Sequence, residues 1–355
     1  MVAFLGSCTD INTADEGAGP PNIIFILVDD LGWGDVGYHG SKIRTPNIDN
    51  LAAGGTRLER SYVFPVCSPT RAALLSGKNP LKFGIDGPMA HDEVLPLGIK
   101  LLPQWLNEAG YQTWMVGKWH LGLRSPEAMP NARGFEHFYG LLGGFHDYYT
   151  HVFYDGLDWQ RNGKSVREEG HSTDLLTQEA LSLIETRDLD VPFFLYLAYN
   201  APHTPLQTII GSSDDFPEIT DPDRRVYAQM VADLDEKVGV VLDRLERENL
   251  LESTLIVFAS DNGGALHLGS RNTPLKGYKS SAFEGGMRTP AIVSWASRLS
   301  AGRSVSEPIF VQDWTPTLLA VAGIDFDPTE FDGVNAWSVV SKGEKQKPRT
   351  VVMGG

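Results

Sequence analysis

The chain has 355 residues, a length that fits one large domain or two ordinary ones. Hydrophobic residues make up 42% of it and charged residues 21%, which excludes a disordered protein, a collagen and a disulfide-stapled miniprotein. Acidic side chains outnumber basic ones by 45 to 30, and the formal net charge of −15 excludes nucleic-acid binding over the whole surface.

Residues 1–21 are expected to form a leader and a tether. Residues 1–7 are apolar and lead into Cys8, and the stretch 5–8 is similar to the lipid-attachment box of bacterial lipoproteins. The alternatives are the tail of a clipped signal peptide and an incorrectly assigned start of the gene. We therefore expect a periplasmic or extracellular protein, with lipid attachment through Cys8 as one possibility. No apolar run approaches the roughly 20 residues of a membrane span.

Continuous apolar runs predict strands that are buried on both faces of a parallel sheet. In chain order they cover 23–28, 113–116, 193–199, 254–259 and 291–295. Helical patterns lie between them, at 46–54, 102–109, 173–187 and 224–248. This alternation predicts an α/β fold with a doubly wound, mostly parallel central sheet and helices on both faces.

Polar residues follow four of these runs. They are Asp29 and Asp30, Lys118 and His120, Asn200 and His203, and Asp261 and Asn262. Open α/β sheets bind ligands at the carboxyl ends of their strands, so these residues predict one rim of an active site.

Three carboxylates and one amide oxygen in this set are suited to Ca²⁺ or Mg²⁺. The residues are Asp29, Asp30, Asp261 and Asn262, and adjacent carboxylates repel each other unless a positive charge lies between them. The alternative is that Asp30 caps a turn and that 261–264 is a plain loop.

Cys67 lies at the predicted N-terminus of a further helix, which Pro69 opens and Gly77 ends. The helix dipole favours an anion there, so Cys67 can be read as a thiolate nucleophile. A buried structural cysteine is the alternative.

The motif Cys67-x-Pro69-x-Arg71 with Gly77 resembles the signature of the type I, formylglycine-dependent sulfatases of the alkaline phosphatase superfamily. The stretch 110–120 matches the second signature of that family at every position. The resemblance continues in family order from about residue 22 to 295, through Asp29–Asp30, 201–205, 260–263, Lys279 and 284–286, and more weakly through 313–317.

The resemblance implies a role for each matching residue. Cys67 would be oxidised to formylglycine, by a formylglycine-generating enzyme or an anaerobic maturase. Asp29, Asp30, Asp261, Asn262 and the modified Cys67 would hold a metal, normally Ca²⁺, with Mg²⁺ as the alternative. Arg71 and Lys118 would orient the formylglycine hydrate, His120 would assist breakdown of the sulfated intermediate, and His203 and Lys279 would face the leaving oxygen.

The implied activity is hydrolysis of sulfate esters, with a sulfated sugar or oligosaccharide as the expected substrate. A phosphate or phosphonate monoester hydrolase of the same superfamily is one alternative. An unmodified, non-catalytic binder of sulfated glycans is another.

The stretch 143–151 is rich in aromatic and histidine residues, which suit sugar rings. From it we expect His146, Asp147, Tyr148 and His151 to contact the substrate, and a packed loop without a ligand is the alternative. Residues 22–330 are expected to form the catalytic domain. Residues 331–355 are expected to be a linker and the start of a truncated antiparallel C-terminal subdomain, with 349–353 as its first strand.

Overall fold

A computed structural model describes residues 19–211 and 216–354 of the chain. Cys8 and most of the expected leader and tether lie outside the described residues. None of the described helices combines the length and the apolar character that crossing a bilayer requires.

The described part of the chain contains 14 strands and eight α-helices. The strands are β1 (Asn22–Val28), β2 (Thr56–Leu58), β3 (Ser61–Tyr62), β4 (Gln112–Lys118), β5 (His137–Leu141), β6 (Val152–Phe153), β7 (Gly156–Leu157), β8 (Gln160–Arg161), β9 (Lys164–Ser165), β10 (Phe193–Ala198), β11 (Thr254–Ser260), β12 (Ala291–Ser294), β13 (Arg303–Val305) and β14 (Ile309–Phe310). The helices are α1 (Pro46–Gly54), α2 (Cys67–Ser76), α3 (Leu102–Glu108), α4 (Ser172–Thr186), α5 (Pro222–Arg247), α6 (Glu284–Met287), α7 (Trp314–Val321) and α8 (Trp337–Lys342).

Ten of the strands form one mixed sheet in the order β13-β2-β12-β11-β1-β10-β4-β5-β8-β9. Its centre, from β11 to β5, is entirely parallel. These central strands include four of the five predicted apolar runs. The carboxyl ends of β1, β4, β10 and β11 therefore meet at one edge, as the sequence predicts.

Helices cover both faces of the sheet, which confirms the predicted doubly wound α/β architecture. In β1, Phe25 belongs to the core beneath α2, α3 and α7, whereas the neighbouring Ile26 belongs to the core beneath α1, α4 and α5. Successive side chains of a strand point to opposite faces, so both faces of β1 are buried. This explains why its sequence is uniformly apolar.

The fifth apolar run, β12, runs antiparallel to its neighbour β11, with Ala259 opposite Ala291. The expectation of a parallel strand is wrong here. The segment between the two strands contains only short helical turns, a 3-10 turn at Leu266–Leu268 and the four-residue helix α6. Because no long crossover returns the chain to the other edge, β12 has to run back along β11.

The C-terminal segment packs onto the catalytic core. Phe331, Val339, Val340 and Met353 are buried in the same cluster as α2 and α7. Residues 349–353 adopt no regular secondary structure in the described chain, so the expectation of a strand there is wrong. The side chain of Arg349 instead ties this segment to the core, where it forms an ion pair with the buried Asp313.

Candidate active site

Cys67 is the first residue of α2, a helix whose ten residues are all buried. The helix ends at Gly77, which has a left-handed φ of 66° and closes it with a backbone hydrogen bond to Ala73. The Sγ atom of Cys67 lies 3.2 Å from Nδ1 of His120. Burial raises the pKa of the Cys67 thiol although nearby lysines oppose the shift, so this environment does not favour a thiolate nucleophile.

Arg71 follows Cys67 by four residues, which puts the two side chains on the same side of α2. Its Nε and Nη2 atoms donate hydrogen bonds of 3.1 and 2.8 Å to Oδ2 of Asp261, and Nη1 donates one of 2.8 Å to the carbonyl of Lys118. Burial opposes the charged guanidinium, but Asp261, Asp29 and other neighbours together outweigh it and raise the pKa of Arg71. The arginine is therefore a fixed, buried cation beside Cys67.

Two lysines approach the paired carboxylates at the end of β1. Lys118 Nζ donates to Oδ2 of Asp29 at 2.5 Å, and Lys279 Nζ donates to Oδ1 of Asp30 at 2.6 Å. Burial raises the pKa values of both carboxyl groups, but neighbouring cationic groups outweigh it and hold the net pKa values below the usual range. Both aspartates are therefore negatively charged at neutral pH.

The carboxylate cluster retains unused oxygen atoms that fit a hard divalent cation. Asp29 Oδ1, Asp30 Oδ2 and Asn262 Oδ1 are buried and have no hydrogen-bond partner. Oxygen ligands of this kind are preferred by Ca²⁺ and Mg²⁺. The oxygens of Asp261 are less available to a cation. Its Oδ2 atom accepts a hydrogen bond from Arg71, and its Oδ1 atom accepts a long hydrogen bond of 3.4 Å from the backbone N–H of Asp30.

His203 was not predicted as part of the metal set, yet it joins it in space. One ligand atom from each of Asp29, Asp30 and His203 lies within 4.8 Å of the others. The Nδ1 atom of His203 is 2.8 Å from the carbonyl of Thr204, so it carries the proton in the neutral ring. The Nε2 atom then lies 3.7 Å from Oδ2 of Asp30.

Two residues of the site have left-handed backbones that non-glycine residues rarely adopt. The φ angles are 65° at Asp30 and 58° at His120. Conformations of this kind are costly and concentrate at functional sites. Burial, Lys118 and Arg71 lower the pKa of His120 well below its usual value, so its ring is neutral.

Sequence reasoning missed Gly144, which lies against the ring of His120. A Cβ atom at this position would be 2.8 Å from both Cε1 and Nε2 of the histidine. Only glycine therefore leaves the ring in place, and no motif in the sequence marks this contact.

An open cavity of about 570 Å³ leads from the surface to these groups. Its lining includes catalytic candidates and, on the outer part, mainly apolar and aromatic residues. They are Cys67, Pro88, Met89, Ala90, His91, Asp92, His120, Gly144, Phe145, Phe153, Tyr154, His203 and Lys279.

Among the residues that the structure describes, those that line this cavity include none of the four predicted substrate residues. His146, Tyr148 and His151 are buried, and His151 stacks on Trp159. Tyr148 Oη lies 2.8 Å from the carbonyl oxygen of His203, so it supports the loop that carries this histidine.

The fourth residue, Asp147, accepts hydrogen bonds from its own turn and from Gln207. The structure thus gives the four residues packing roles. Phe145, from the same stretch, lines the cavity.

The Sulfatase family model matches residues 21–324. Mouse arylsulfatase J is 38% identical to the chain over 95% of it and 58% of its own length. Human N-acetylgalactosamine-6-sulfatase is 34% identical, over 91% of the chain and 66% of its own length. The chain thus spans less than two thirds of the length of these two relatives.

Two solved structures share the fold. The crystal structure of Ps i-CgsB in complex with k-i-k-neocarrahexaose has a TM-score of 0.86 at 40% identity, and it covers 92% of this chain and 77% of its own. The PsFucS1 sulfatase from Pseudoalteromonas sp. has a TM-score of 0.77 at 27% identity, over 92% of this chain and 74% of its own.

Proposed function

Because the chain belongs to the sulfatase family, we propose that it hydrolyses sulfate esters of a sulfated carbohydrate. The proposal rests on the clustering of six side chains beside unpaired carboxylate oxygens. Four of the six line one cavity, and Arg71 and Lys118 are buried behind it. The six are Cys67, Arg71, Lys118, His120, His203 and Lys279.

Local positive charge allows this acidic protein to hold a sulfate group. Arg71 and Lys118 are fully buried, and the side chain of Lys279 is only 16% exposed. Preorganised cations in a buried site stabilise the charge that develops on a sulfate ester and on its leaving oxygen. Each of these three cations is paired with one carboxylate of the cluster, so a bound divalent cation would supply the excess positive charge that a sulfate group needs at this site.

We propose that Cys67 is converted to formylglycine by a maturation enzyme. The hydrated aldehyde supplies an oxygen nucleophile with a second hydroxyl group, which a thiol lacks. His120 Nδ1 lies 3.2 Å from the position of Sγ, so its neutral ring can accept a proton there. One hydroxyl oxygen of the hydrate forms a bond to sulfur while the bond from sulfur to the alcohol oxygen breaks, and the ammonium group of Lys279 protonates the leaving oxygen; His203 Nε2 can do so only when both nitrogens of its ring are protonated.

A divalent cation, Ca²⁺ with Mg²⁺ as the alternative, would be held by the carboxylate cluster. Asp29, Asp30 and Asn262 would bind it through their unpaired oxygens, and Asp261 through Oδ1. The ion would neutralise part of the acidic cluster and add positive charge beside the sulfate.

The proposal is tested by sulfate release from k-i-k-neocarrahexaose, N-acetylgalactosamine 6-sulfate and 4-nitrophenyl sulfate. Mass spectrometry first verifies the modification, because the Cys67 peptide becomes about 18 Da lighter. Release is expected from the modified chain and not from Cys67→Ala. No release from any substrate by modified protein would overturn the proposal, and so would faster turnover of 4-nitrophenyl phosphate.

We also propose a periplasmic or extracellular location, with lipid attachment through Cys8. The support is the stretch 5–8 and the large size of sulfated polysaccharides. Labelling with a fatty-acid analogue, compared between the unaltered chain and Cys8→Ala, tests the attachment.

A further inference from the structure

A chain of aromatic contacts leads from His203 to the mouth of the cavity. Phe145 stacks on His203 with ring centroids 5.9 Å apart and an angle of 18° between the planes. Phe153 packs edge-on against Phe145 at 5.1 Å. Tyr154 follows Phe153 at 4.6 Å, and His91 touches both of these outer rings at 5.1 and 5.4 Å.

Tyr154 has an unusual position for a large aromatic residue. It lies in the turn between β6 and β7, it is 71% exposed, and its φ of 53° falls in the left-handed region. Exposure of the ring and a left-handed backbone are both unfavourable for tyrosine. The two-residue loop between the paired residues Phe153 and Gly156 accounts for the positive φ, so the exposure of the ring is the feature that leaves its face free for a ligand.

The chemistry of this wall favours the face of a sugar ring over an anion. Among the described residues that line the cavity, Lys279 is the one lysine or arginine, and it is engaged with Asp30. Near His91 the lining is otherwise neutral, apart from the acidic Asp92. Flat aromatic faces with polar tips match the apolar C–H face and the hydroxyl rim of a pyranose.

We propose that His91, Phe153 and Tyr154 form an aromatic platform that binds the sugar ring next to the sulfated one. This inference rests on the proposed function, because the catalytic groups fix where the sulfated ring would lie. The platform makes glycan length and linkage, rather than a second sulfate, the property that is recognised at the mouth of the cavity.

The test measures binding and turnover separately. Calorimetry gives Kd for k-i-k-neocarrahexaose and for a disaccharide that contains N-acetylgalactosamine 6-sulfate, with protein that retains the Cys67 thiol and so does not consume the ligand. Tyr154→Ala is expected to raise Kd about tenfold for the glycan that binds, and Tyr154→Phe to change it less than about twofold. Because stacking is not an ionic contact, the factor is expected to be the same at low and high salt.

Turnover of 4-nitrophenyl sulfate reports on the catalytic groups alone and should stay within about twofold in Tyr154→Ala. The matched control is Tyr278→Ala, which removes a tyrosine that is 52% exposed and outside the described cavity lining. The platform is overturned if Kd does not change in Tyr154→Ala, if the unaltered chain binds neither glycan, or if 4-nitrophenyl sulfate turnover falls equally. Glycan binding that depends on Tyr154 without sulfate release would overturn the proposed function and leave the platform standing.

Discussion

The sulfur atom of Cys67 and the Nδ1 atom of His120 lie 3.2 Å apart at the N-terminus of α2. The two residues come from different elements, and the left-handed backbone of His120 turns its ring towards the helix after β4 ends. Because the pKa of His120 is lowered by burial and by the adjacent cations, its neutral ring can accept a proton beside position 67.

Replacement of His120 by glutamine should therefore impair chemistry and spare binding. We expect kcat for 4-nitrophenyl sulfate to fall about 100-fold or more, because a positioned general base contributes a factor of that order. Calorimetry should find Kd for a sulfated oligosaccharide within about threefold of the unaltered chain. The exposed His267 provides the control variant His267→Gln, and a loss of kcat in the control as large as in His120→Gln would argue against this role.

Gly144→Ala should act on the same histidine indirectly. The new methyl group would lie 2.8 Å from two atoms of the His120 ring, so the ring would have to leave its present position. We expect kcat to fall at least about tenfold, since small displacements of catalytic groups cost large factors in rate. Gly54→Ala, where a Cβ meets nothing within 4 Å, should leave kcat unchanged. Normal turnover by Gly144→Ala would show that the ring tolerates the displacement.

Much of the fold was predictable because a strand that is buried on both faces of a sheet has a continuous apolar sequence. The apolar runs at β1, β4, β10 and β11 indicate parallel strands, and their carboxyl ends must then share one edge. The polar residues that directly follow these runs were therefore expected to lie close together at that edge. The direction of β12 was not predictable, because its apolar run fits either orientation.

The outer wall of the cavity could not be predicted in the same way. Phe153 and Tyr154 lie on a short hairpin whose path over the sheet depends on tertiary packing. His146 and His151 lie shortly before this hairpin. The sequence does not show which of these rings point into the core and which point into the cavity. The path of the loop decides this, and it buries both histidines beside Trp159.

Removal of the metal should lower stability, and Ca²⁺ should restore it. A ligand that binds only the folded state at 100 times its Kd adds about 2.7 kcal/mol to the free energy of unfolding. We expect Ca²⁺ to raise the Tm of chelator-treated protein, and Mg²⁺ to raise it less because it gives up its water ligands reluctantly. Asp29→Asn should abolish the rise, whereas the exposed Asp243→Asn should retain it. Equal rises in both variants would exclude the carboxylate cluster as the binding site.

His146 should make the folded protein sensitive to acid. Burial lowers the pKa of its ring to about 3, whereas an unfolded histidine titrates near pH 6.5. The unfolded state therefore binds more protons below pH 6.5, and stability falls as the pH falls from 6.5 towards 3. Between pH 6.5 and pH 5 this amounts to roughly 2 kcal/mol. Urea unfolding of His146→Phe should show a shallower pH dependence, because the new ring fills the space without titrating.

His267→Gln should keep the original pH slope, because this histidine is exposed. At neutral pH the turnover of 4-nitrophenyl sulfate expected from the proposed function should be the same in His146→Phe and in the unaltered chain, since the ring does not line the cavity. A steep, unaltered slope in His146→Phe would assign the acid sensitivity to other groups.

We expect Arg349 to stabilise the packing of the C-terminal segment on the core. Its Nη1 atom donates a 2.7 Å hydrogen bond to Oδ1 of Asp313, Nη2 bonds Oδ2 of the same carboxylate, and the guanidinium lies 4.9 Å from the ring centre of Phe310. Arg349→Ala would leave the buried carboxylate without its cation, and we expect unfolding in urea to show a loss of about 2–3 kcal/mol. Arg349→Lys should recover only part of this stability, because an ammonium group cannot bond both carboxylate oxygens in the same bidentate geometry.

Lys345→Ala removes an exposed charge from the same segment and should leave the stability against urea unchanged. If Arg349→Ala and Lys345→Ala unfold at the same urea concentration, the ion pair does not stabilise the fold.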